Sequence, residues 1–334
     1  MNVHLITIKK WSALMRNENA IEKSQSSYEK INYLLRPAKQ VERKLIIETL
    51  QCLRREYSIE DYQYVGMGSL FYVDYYMFHK YLGIKDMISI EKDEDKIDRF
   101  KFNKPYSFIQ LIAGTSTDLL PNLNWQKDMF IWLDYDYKMS KSIVDDIQIV
   151  CNYVQPGNIF IMTVDAEPER FATPEVAFRE GPRQRLQNFK KELSPYFPPD
   201  ITPRDLSDKN FPHLLRRTIV NIIEEKLRRT KLGYFQIFNL KYRDTSQMYT
   251  FGCIFENAPT RIEDTGVFNL DFISRDSTLV EINLPIITPL EKIHFDKLIP
   301  GIAKKLKEFD ISEDKANDYE KYYKYYPQYY ESLL

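Results

Sequence analysis

Short runs of apolar residues alternate with longer amphipathic segments over the first half of the chain. The first run is short and mostly β-branched or aromatic, which favours a strand. The apolar character of the second, fourth and fifth runs is nearly continuous, which is typical of parallel strands covered on both faces. The five predicted strands are Tyr62–Val65, Met87–Ile90, Ser107–Ala113, Met129–Leu133 and Ile159–Val164.

Segments with helical spacing precede and separate these runs. The longest begins at Pro37, a residue suited to the first turn of a helix, and ends near Tyr57. After a proline-rich stretch the pattern predicts two more strands that form a hairpin. The other predicted elements are helices Phe71–Tyr81, Asp93–Phe102, Ser142–Tyr153, Arg183–Leu193 and Leu214–Arg229, and strands Gly233–Tyr242 and Gln247–Glu256.

Strands that alternate with helices predict an α/β fold with a mostly parallel sheet. We expect an N-terminal arm and helix over residues 1–57 and a Rossmann-like domain over 58–257. An insert is expected at about 168–212, because that proline-rich stretch is longer than an ordinary connection. Residues 258–334 form a predicted C-terminal extension with a tyrosine-rich tail.

A glycine turn, Gly66-Met67-Gly68, follows the first predicted strand. Glycines there let a ligand approach the backbone, and the next helix offers free amide donors at its N-terminus. Glu91 follows the second strand about 20 residues later, where an acid can accept hydrogen bonds from ribose hydroxyls. The pattern predicts a ligand site, and a tight turn without a ligand is the alternative.

Four segments carry a resemblance to a known family: NYLLRPAKQVERK, YVGMGSLFYVDYYMFHKYLG, SIEKD and the ending LEKIHFDKLIP…YYKYYP. They look like segments of a bacterial family of putative O-methyltransferases, some found near antiphage defence genes. The element order over Ala38–Asn257 is similar to that of class I S-adenosylmethionine-dependent methyltransferases. The resemblance implies a three-layer, seven-stranded, mostly parallel sheet with an antiparallel last strand, flanked by an N-terminal helix and a C-terminal helical tail.

The resemblance also implies S-adenosylmethionine as the cofactor and assigns residues to it. Gly66, Met67 and Gly68 would wrap its methionine part, and Glu91 would hold its ribose. Asp118, after the third strand, would accept a hydrogen bond from the adenine amine. The alternative for Asp118 is that it caps the short helix that follows.

Asp134 and Asp136, after the fourth strand, are the candidate catalytic residues. The family places the methyl acceptor at this position, and Asp134 would act as a general base toward a hydroxyl or an amine. The segment lacks the Asn/Asp-Pro-Pro-Tyr motif of enzymes that methylate bases, which favours an O-directed reaction. Most acids at strand ends are capping or solvated residues, and a magnesium site shared by Asp134 and Asp165 is a further alternative; no metal is assigned.

Composition adds little to this interpretation. The net charge of −1 does not indicate nucleic-acid binding, and no apolar run is long enough to cross a membrane. Three separated cysteines look like buried thiols, so a cytoplasmic location is expected. Arg36, Lys39 and Arg43 predict a solvated basic helix face, with binding of a phosphate or of a partner's acids as the alternative.

The tail from Asp318 to Tyr330 is rich in tyrosine. It would pack on its own domain, contact a protein partner, or stack on nucleic-acid bases. The function that the resemblance implies is an S-adenosylmethionine-dependent methyltransferase with an unknown acceptor, and the defence genes near some family members suggest a role in antiphage defence. The alternative is an inactive methyltransferase-like subunit of a defence complex, which would use the tail and the insert as contact surfaces.

Overall fold

Eight strands form one mixed sheet in the described part of the computed structural model, which comprises residues 36–172, 181–302, 306 and 309–327. Their order across the sheet is β3-β2-β1-β4-β5-β7-β6-β8. The strands are β1 Gln63–Met67, β2 Asp86–Glu91, β3 Ile109–Ala113, β4 Met129–Lys138, β5 Ile159–Asp165, β6 Gly233–Arg243, β7 Gln247–Glu256 and β8 Val280–Ile282.

The predicted α/β fold is confirmed. Strands β1 to β5 are parallel to their neighbours, and β7 lies antiparallel between β5 and β6. The predicted hairpin is therefore the one that completes the sheet. The expected count of seven strands was one too low, because β8 adds to the outer edge of β6 in parallel. At three residues, β8 is too short to produce a recognisable pattern in the sequence.

Helices cover both faces of the sheet and create two hydrophobic cores. The helices are α1 Pro37–Leu53, α2 Val73–Leu82, α3 Ile97–Asn103, α4 Ser116–Leu119, α5 Lys141–Tyr153, α6 Pro182–Leu193, α7 Phe211–Leu227, α8 Thr260–Asp264, α9 Pro289–Asp296 and α10 Glu313–Tyr322. Neighbouring strand residues point into different cores: Tyr64 and Phe130 contribute to the core under α1 and α2, and Val65 and Ile131 to the core under α5 and α7.

Two strands extend further than the sequence predicts. Glu91 is the last residue of β2 instead of following it, and β4 continues through Asp134–Tyr137, which was predicted as a loop. Asp134 pairs with Thr163 of β5, and the register then shifts before Lys138 pairs with Asp165. Pairing with β5 therefore holds Asp134 in an extended strand conformation, although the polar residues of this segment favour a loop.

The C-terminal tail packs largely against its own chain over its described residues. Tyr319 and Tyr326 belong to a small third core, and Tyr322 and Tyr325 join the core under α1. Tyr323 is more exposed. This packing leaves most described tail tyrosines unable to stack on bases or on a partner.

Some predicted segments lie outside the described residues. They include the N-terminal arm, part of the insert at 173–180 and the end of the tail from residue 328. The chain divides by its contacts into Met1–Leu35 and Arg36–Leu334, and all described residues belong to the second unit. No described helix is long and apolar enough to cross a membrane.

Candidate functional site

Gly68, Ser89 and Glu91 meet where β1 and β2 end. A Cβ atom at position 68 would lie less than 3.0 Å from both Oγ of Ser89 and Oε1 of Glu91, closer than real Cβ atoms come. Both side chains point to one side of β2, because residues two apart share a face of a strand. Glycine at position 68 is therefore needed for the two polar side chains to lie against the β1 backbone.

Three buried polar atoms near this turn have no hydrogen-bond partner among the residues that the structure describes: Oε1 of Glu91, Oγ of Ser89 and the hydroxyl of Tyr72. Ser89 is close to the hydroxyls of Tyr72 and Tyr75, but it makes no bond of ordinary geometry with either. Unpaired polar atoms are costly inside a protein, so such a group usually binds a ligand or water. The turn therefore offers one carboxylate oxygen and two hydroxyls to a polar ligand.

Burial changes the acid–base behaviour of Glu91. It raises the pKa of the Glu91 carboxyl to about 8, and the nearby negative charge of Asp93 adds to the shift. No cation is among the causes of this shift. A ligand that donates hydrogen bonds to the carboxylate would supply the stabilisation that the site lacks.

Tyr72, the N-cap residue of α2, has an uncommon backbone conformation. Its φ of 46° and ψ of 33° lie in the left-handed region, which costs roughly 1–2 kcal/mol for a residue with a side chain. Within the described part of the chain, no side chain caps the N-terminus of α2. The sequence analysis missed both Tyr72 and Ser89. The signal for Ser89 was a small polar residue two positions before Glu91 in an otherwise apolar strand.

The lack of a side chain at Gly66 makes room for two buried tyrosines. A Cβ atom there would collide with the Tyr64 hydroxyl and approach that of Tyr75. The single proton of the Tyr75 hydroxyl is within reach of two carbonyl oxygens, that of Gly66 at 2.8 Å and that of Ile88 at 3.1 Å. Met67, between the two glycines, packs partly buried against the core under α5.

Asp118 takes part in a helix cap. Thr115 is the N-cap of α4, and its hydroxyl oxygen accepts from the Asp118 amide at 3.3 Å. The same hydroxyl donates to Oδ2 of Asp118 at 2.6 Å. Asp118 is exposed. The capping alternative thus has a geometric basis, with Thr115 and not Asp118 at the N-cap position.

Asp146 of α5 connects this loop to β4. Its carboxylate accepts hydrogen bonds from the hydroxyls of Ser116, Thr117 and Tyr135. Burial raises the pKa of Asp146, and the three hydroxyl donors oppose that shift. The sequence analysis did not single out this residue, because an acid inside an amphipathic helix gives no local sign of distant partners.

Asp134 forms an ion pair with Lys39 of α1. Nζ of Lys39 lies 2.8 Å from Oδ1, and about a fifth of the Asp134 side chain is exposed. No backbone amide of the described residues caps this carboxylate, so it is not a helix-start residue. Asp136, the second candidate catalytic residue, is exposed.

The prediction of a solvated basic face on α1 was wrong, because each basic residue pairs with an acid of the same chain. Lys39 and Arg43 are buried. The pairs are Arg36 with Asp244 at 3.5 Å, Lys39 with Asp134 at 2.8 Å, and Arg43 with Asp74. The helix α1 was predicted to precede the Rossmann-like domain. Through Lys39 and its ion pair with Asp134, it places a charged side chain at the carboxyl edge of the sheet.

Asp165 has partners of its own. Nε of Arg170 lies 2.9 Å from Oδ2, and the Glu167 amide donates to Oδ1 at 2.8 Å. The register places Asp165 opposite Lys138 and Asp134 opposite Thr163. Among the described residues, Glu167, Glu169 and Asp208 form a group of three acids close enough together to hold a metal, and neither Asp134 nor Asp165 belongs to it. Asp134 and Asp165 thus each pair with a basic side chain of the same chain, Lys39 and Arg170.

Comparison with models of known protein families gives a match over most of the chain. A family model described as "Putative O-methyltransferase" matches residues 31–334. No curated protein matches the sequence.

Similar solved structures are distant in sequence. Trm1 from Pyrococcus horikoshii, solved with S-adenosyl-L-methionine, is 10% identical with a TM-score of 0.43; the match covers 69% of this chain and 58% of that chain. A putative O-methyltransferase from Klebsiella pneumoniae is 11% identical with a TM-score of 0.37, and the match covers 70% and 83%. This chain therefore matches little more than half the length of the Pyrococcus protein.

Proposed function

Because this chain belongs to the family described as putative O-methyltransferases, we propose that it transfers a methyl group from S-adenosylmethionine to an oxygen atom of an acceptor. Nitrogen is the less favoured target. The observation that carries this proposal is the group of unpaired, buried polar atoms beside Gly68. Family membership supports this reaction, and the unpaired atoms support a polar cofactor at this turn.

The residues present fit this cofactor. Glu91 would accept hydrogen bonds from the ribose hydroxyls, and Gly68 would keep the backbone open beside it. The hydroxyls of Tyr72 and Ser89 would supply further polar contacts in the same place. The uncapped N-terminus of α2 would attract the carboxylate of the methionine part.

Gly66, Met67 and Asp118 complete the proposed cofactor set in different ways. Gly66 supports the turn by making room for the tyrosines beneath it. Met67 links the two glycines at the end of β1. Asp118 keeps an exposed carboxylate near the end of β3, where an adenine amine would be a hydrogen-bond donor.

S-adenosylmethionine supplies a methyl group made electrophilic by its positive sulfur. Asp134 is the proposed general base. Its carboxylate would take the proton from the acceptor's O–H, and the electron pair left on oxygen would form the new bond to the methyl carbon. The broken sulfur–carbon bond would leave its electron pair on sulfur. Asp136 lies two residues further along β4 and is exposed, so its proposed position is at the opening through which the acceptor would reach the site.

Calorimetry with S-adenosylhomocysteine tests cofactor binding, and release of S-adenosylhomocysteine from S-adenosylmethionine tests transfer. We expect saturable binding by the wild-type protein and turnover with small phenols, alcohols or carboxylic acids. Asp134→Asn should keep the affinity and lower turnover by about two to four orders of magnitude. Absence of binding would contradict the proposal. Binding with no transfer to any acceptor class would favour the inactive subunit instead.

A further inference from the structure

Lys39 is a charged residue in an unusual place. Its side chain is fully buried, and Nζ lies 2.8 Å from Oδ1 of Asp134 and 2.7 Å from Oε2 of Glu42. The same Nζ is 4.4 Å from the centre of the Trp132 ring. An ammonium in such surroundings is held by its two carboxylates and by the aromatic face. Lys39 cannot touch an acceptor in solvent, because none of its surface is exposed.

The carboxylate of Glu42, the second acidic partner of Lys39, is held in place by hydrogen bonds of its own. Glu42 is fully buried, and its Oε1 accepts from the hydroxyls of Thr163, at 3.3 Å, and Thr250. These threonines face each other across β5 and β7, and the indole of Trp132 donates to Thr163 at 3.1 Å. The network is therefore anchored in three strands. Its one partly exposed carboxylate at the edge is Asp134.

We propose that Lys39 is a positioning residue for methyl transfer, which sets the orientation of the Asp134 carboxylate. This inference rests on the proposed function. The bond to Oδ1 occupies one oxygen, and no hydrogen bond from a described residue reaches Oδ2. Oδ2 is then the oxygen that receives the acceptor's proton. Lys39 acts only through Asp134.

The alternative is that the ion pair serves stability alone. Buried ion pairs are often no more stabilising than apolar side chains of similar volume, because removing two charges from water is costly. A methionine in place of Lys39 would fill nearly the same space beside Trp132 and Tyr242. Removing Lys39 alone would also leave the buried carboxylate of Glu42 without its counter-charge, so both explanations expect Lys39→Met to be less stable, and a loss of stability does not separate them.

The two explanations differ in how variants combine. If Lys39 acts through Asp134, removing it from a protein that already has Asp134→Asn should change turnover no further. If it serves stability or an independent step, the losses should multiply. Non-additivity of this kind is a readout that a merely structural role would not give.

The test begins with crystal structures of wild-type protein and Lys39→Met, each soaked with S-adenosylhomocysteine. We expect the Asp134 carboxylate of the variant to leave its wild-type position by more than about 0.5 Å, the tolerance of a working site. The affinity for S-adenosylhomocysteine should stay within about threefold. An Asp134 carboxylate that keeps its position would overturn the proposal, whether or not an acceptor is known.

Kinetics with the acceptor found for the wild-type protein give the second arm. Turnover of Lys39→Met should fall by about 10²-fold, as a misplacement of about 1 Å would cause, and Lys39→Met/Asp134→Asn should equal Asp134→Asn alone. Lys127→Met, which breaks an exposed 2.6 Å ion pair with Asp86, is the matched control and should leave turnover unchanged. If Lys39→Met does not fold, Lys39→Gln takes its place.

The failures are distinguishable. A wild-type protein that binds no S-adenosylhomocysteine contradicts the proposed function. Intact binding with multiplicative losses, or with an unmoved Asp134, contradicts only the role of Lys39.

Discussion

A Cβ atom at Gly68 would lie less than 3.0 Å from Oε1 of Glu91, so the two residues depend on each other. The carboxylate lies against the backbone of the glycine turn, and the glycine keeps that space open. Both residues are often explained by their contact with a ligand. In this protein, the side chains of Glu91 and Ser89 leave no room for a Cβ atom at position 68, even before a ligand binds.

Gly68→Ala should therefore displace Glu91 before any ligand arrives. We expect the affinity for S-adenosylhomocysteine to fall at least about tenfold, equivalent to about 1.4 kcal/mol, while the fold is kept. Calorimetry measures the affinity, and circular dichroism checks the fold.

Gly181→Ala is the control for this change, because a Cβ atom there has no neighbour within 4 Å and its φ of −78° suits alanine. It should bind as the wild-type protein does. Equal affinities for Gly68→Ala and Gly181→Ala would show that the turn is not at the cofactor.

Glu91→Ala removes the proposed ribose acceptor and leaves the turn glycine intact. A hydrogen bond to a charged group contributes about 1.5–3 kcal/mol, so the affinity for S-adenosylhomocysteine should fall about ten- to a hundredfold. Glu94→Ala, a change of an exposed acid three residues further on, should have no effect. A Glu91→Ala variant with wild-type affinity would remove Glu91 from the site.

The pKa of Glu91 predicts how the stability of the ligand-free protein changes with pH. Its carboxyl has a pKa of about 8 in the folded protein, against an ordinary value of 4.5. Between these values the folded state binds more protons than the unfolded state. The free energy of unfolding should therefore fall as pH rises from about 4.5 to 8, with a slope of up to about 1.4 kcal/mol per pH unit from this residue.

Glu91→Gln isolates that contribution, because the amide does not ionise. Urea unfolding of both proteins at several pH values measures it. The wild-type protein should lose stability relative to Glu91→Gln as pH rises through this window. Two curves that stay parallel would contradict the assignment.

Asp146→Ala should destabilise the protein and loosen the segment before α4. It leaves the hydroxyls of Ser116, Thr117 and Tyr135 without their acceptor. Because unpaired buried donors cost about 1–3 kcal/mol each and some will find water, we expect a loss of about 2–4 kcal/mol in urea unfolding. Asp145→Ala, in the same turn of α5, is the control. Equal stabilities of the two variants would refute the role of Asp146.

The sequence was sufficient for the fold because the sheet follows from local patterns. Apolar runs give the parallel strands, and the glycine turn with Glu91 marks the carboxyl edge. The hairpin of β6 and β7 shows alternation along each strand. The short β8 was missed, since three residues carry no periodicity.

Pairing of charges could not be predicted in this way. The spacing of Lys39 and Arg43 shows that they share a helix face, but an amphipathic pattern does not say that a charged face is buried. Their partners, Asp134 and Asp74, are 95 and 31 positions away. Which acid meets which base depends on the packing of α1 across the sheet, which only the three-dimensional arrangement provides.

The N-terminal cap of α1 has a consequence for the order in which the protein is made. Asp244, in the turn between β6 and β7, accepts from the amides of Ala38 and Lys39, which are more than 200 positions earlier in the chain. A ribosome must therefore add about 205 residues after Lys39 before this cap can close. Nascent chains that stop short of the turn carry Lys39 and Asp134 but lack the two hydrogen bonds that Asp244 accepts from the first turn of α1, so this helix end is completed only after the β6–β7 hairpin has been made.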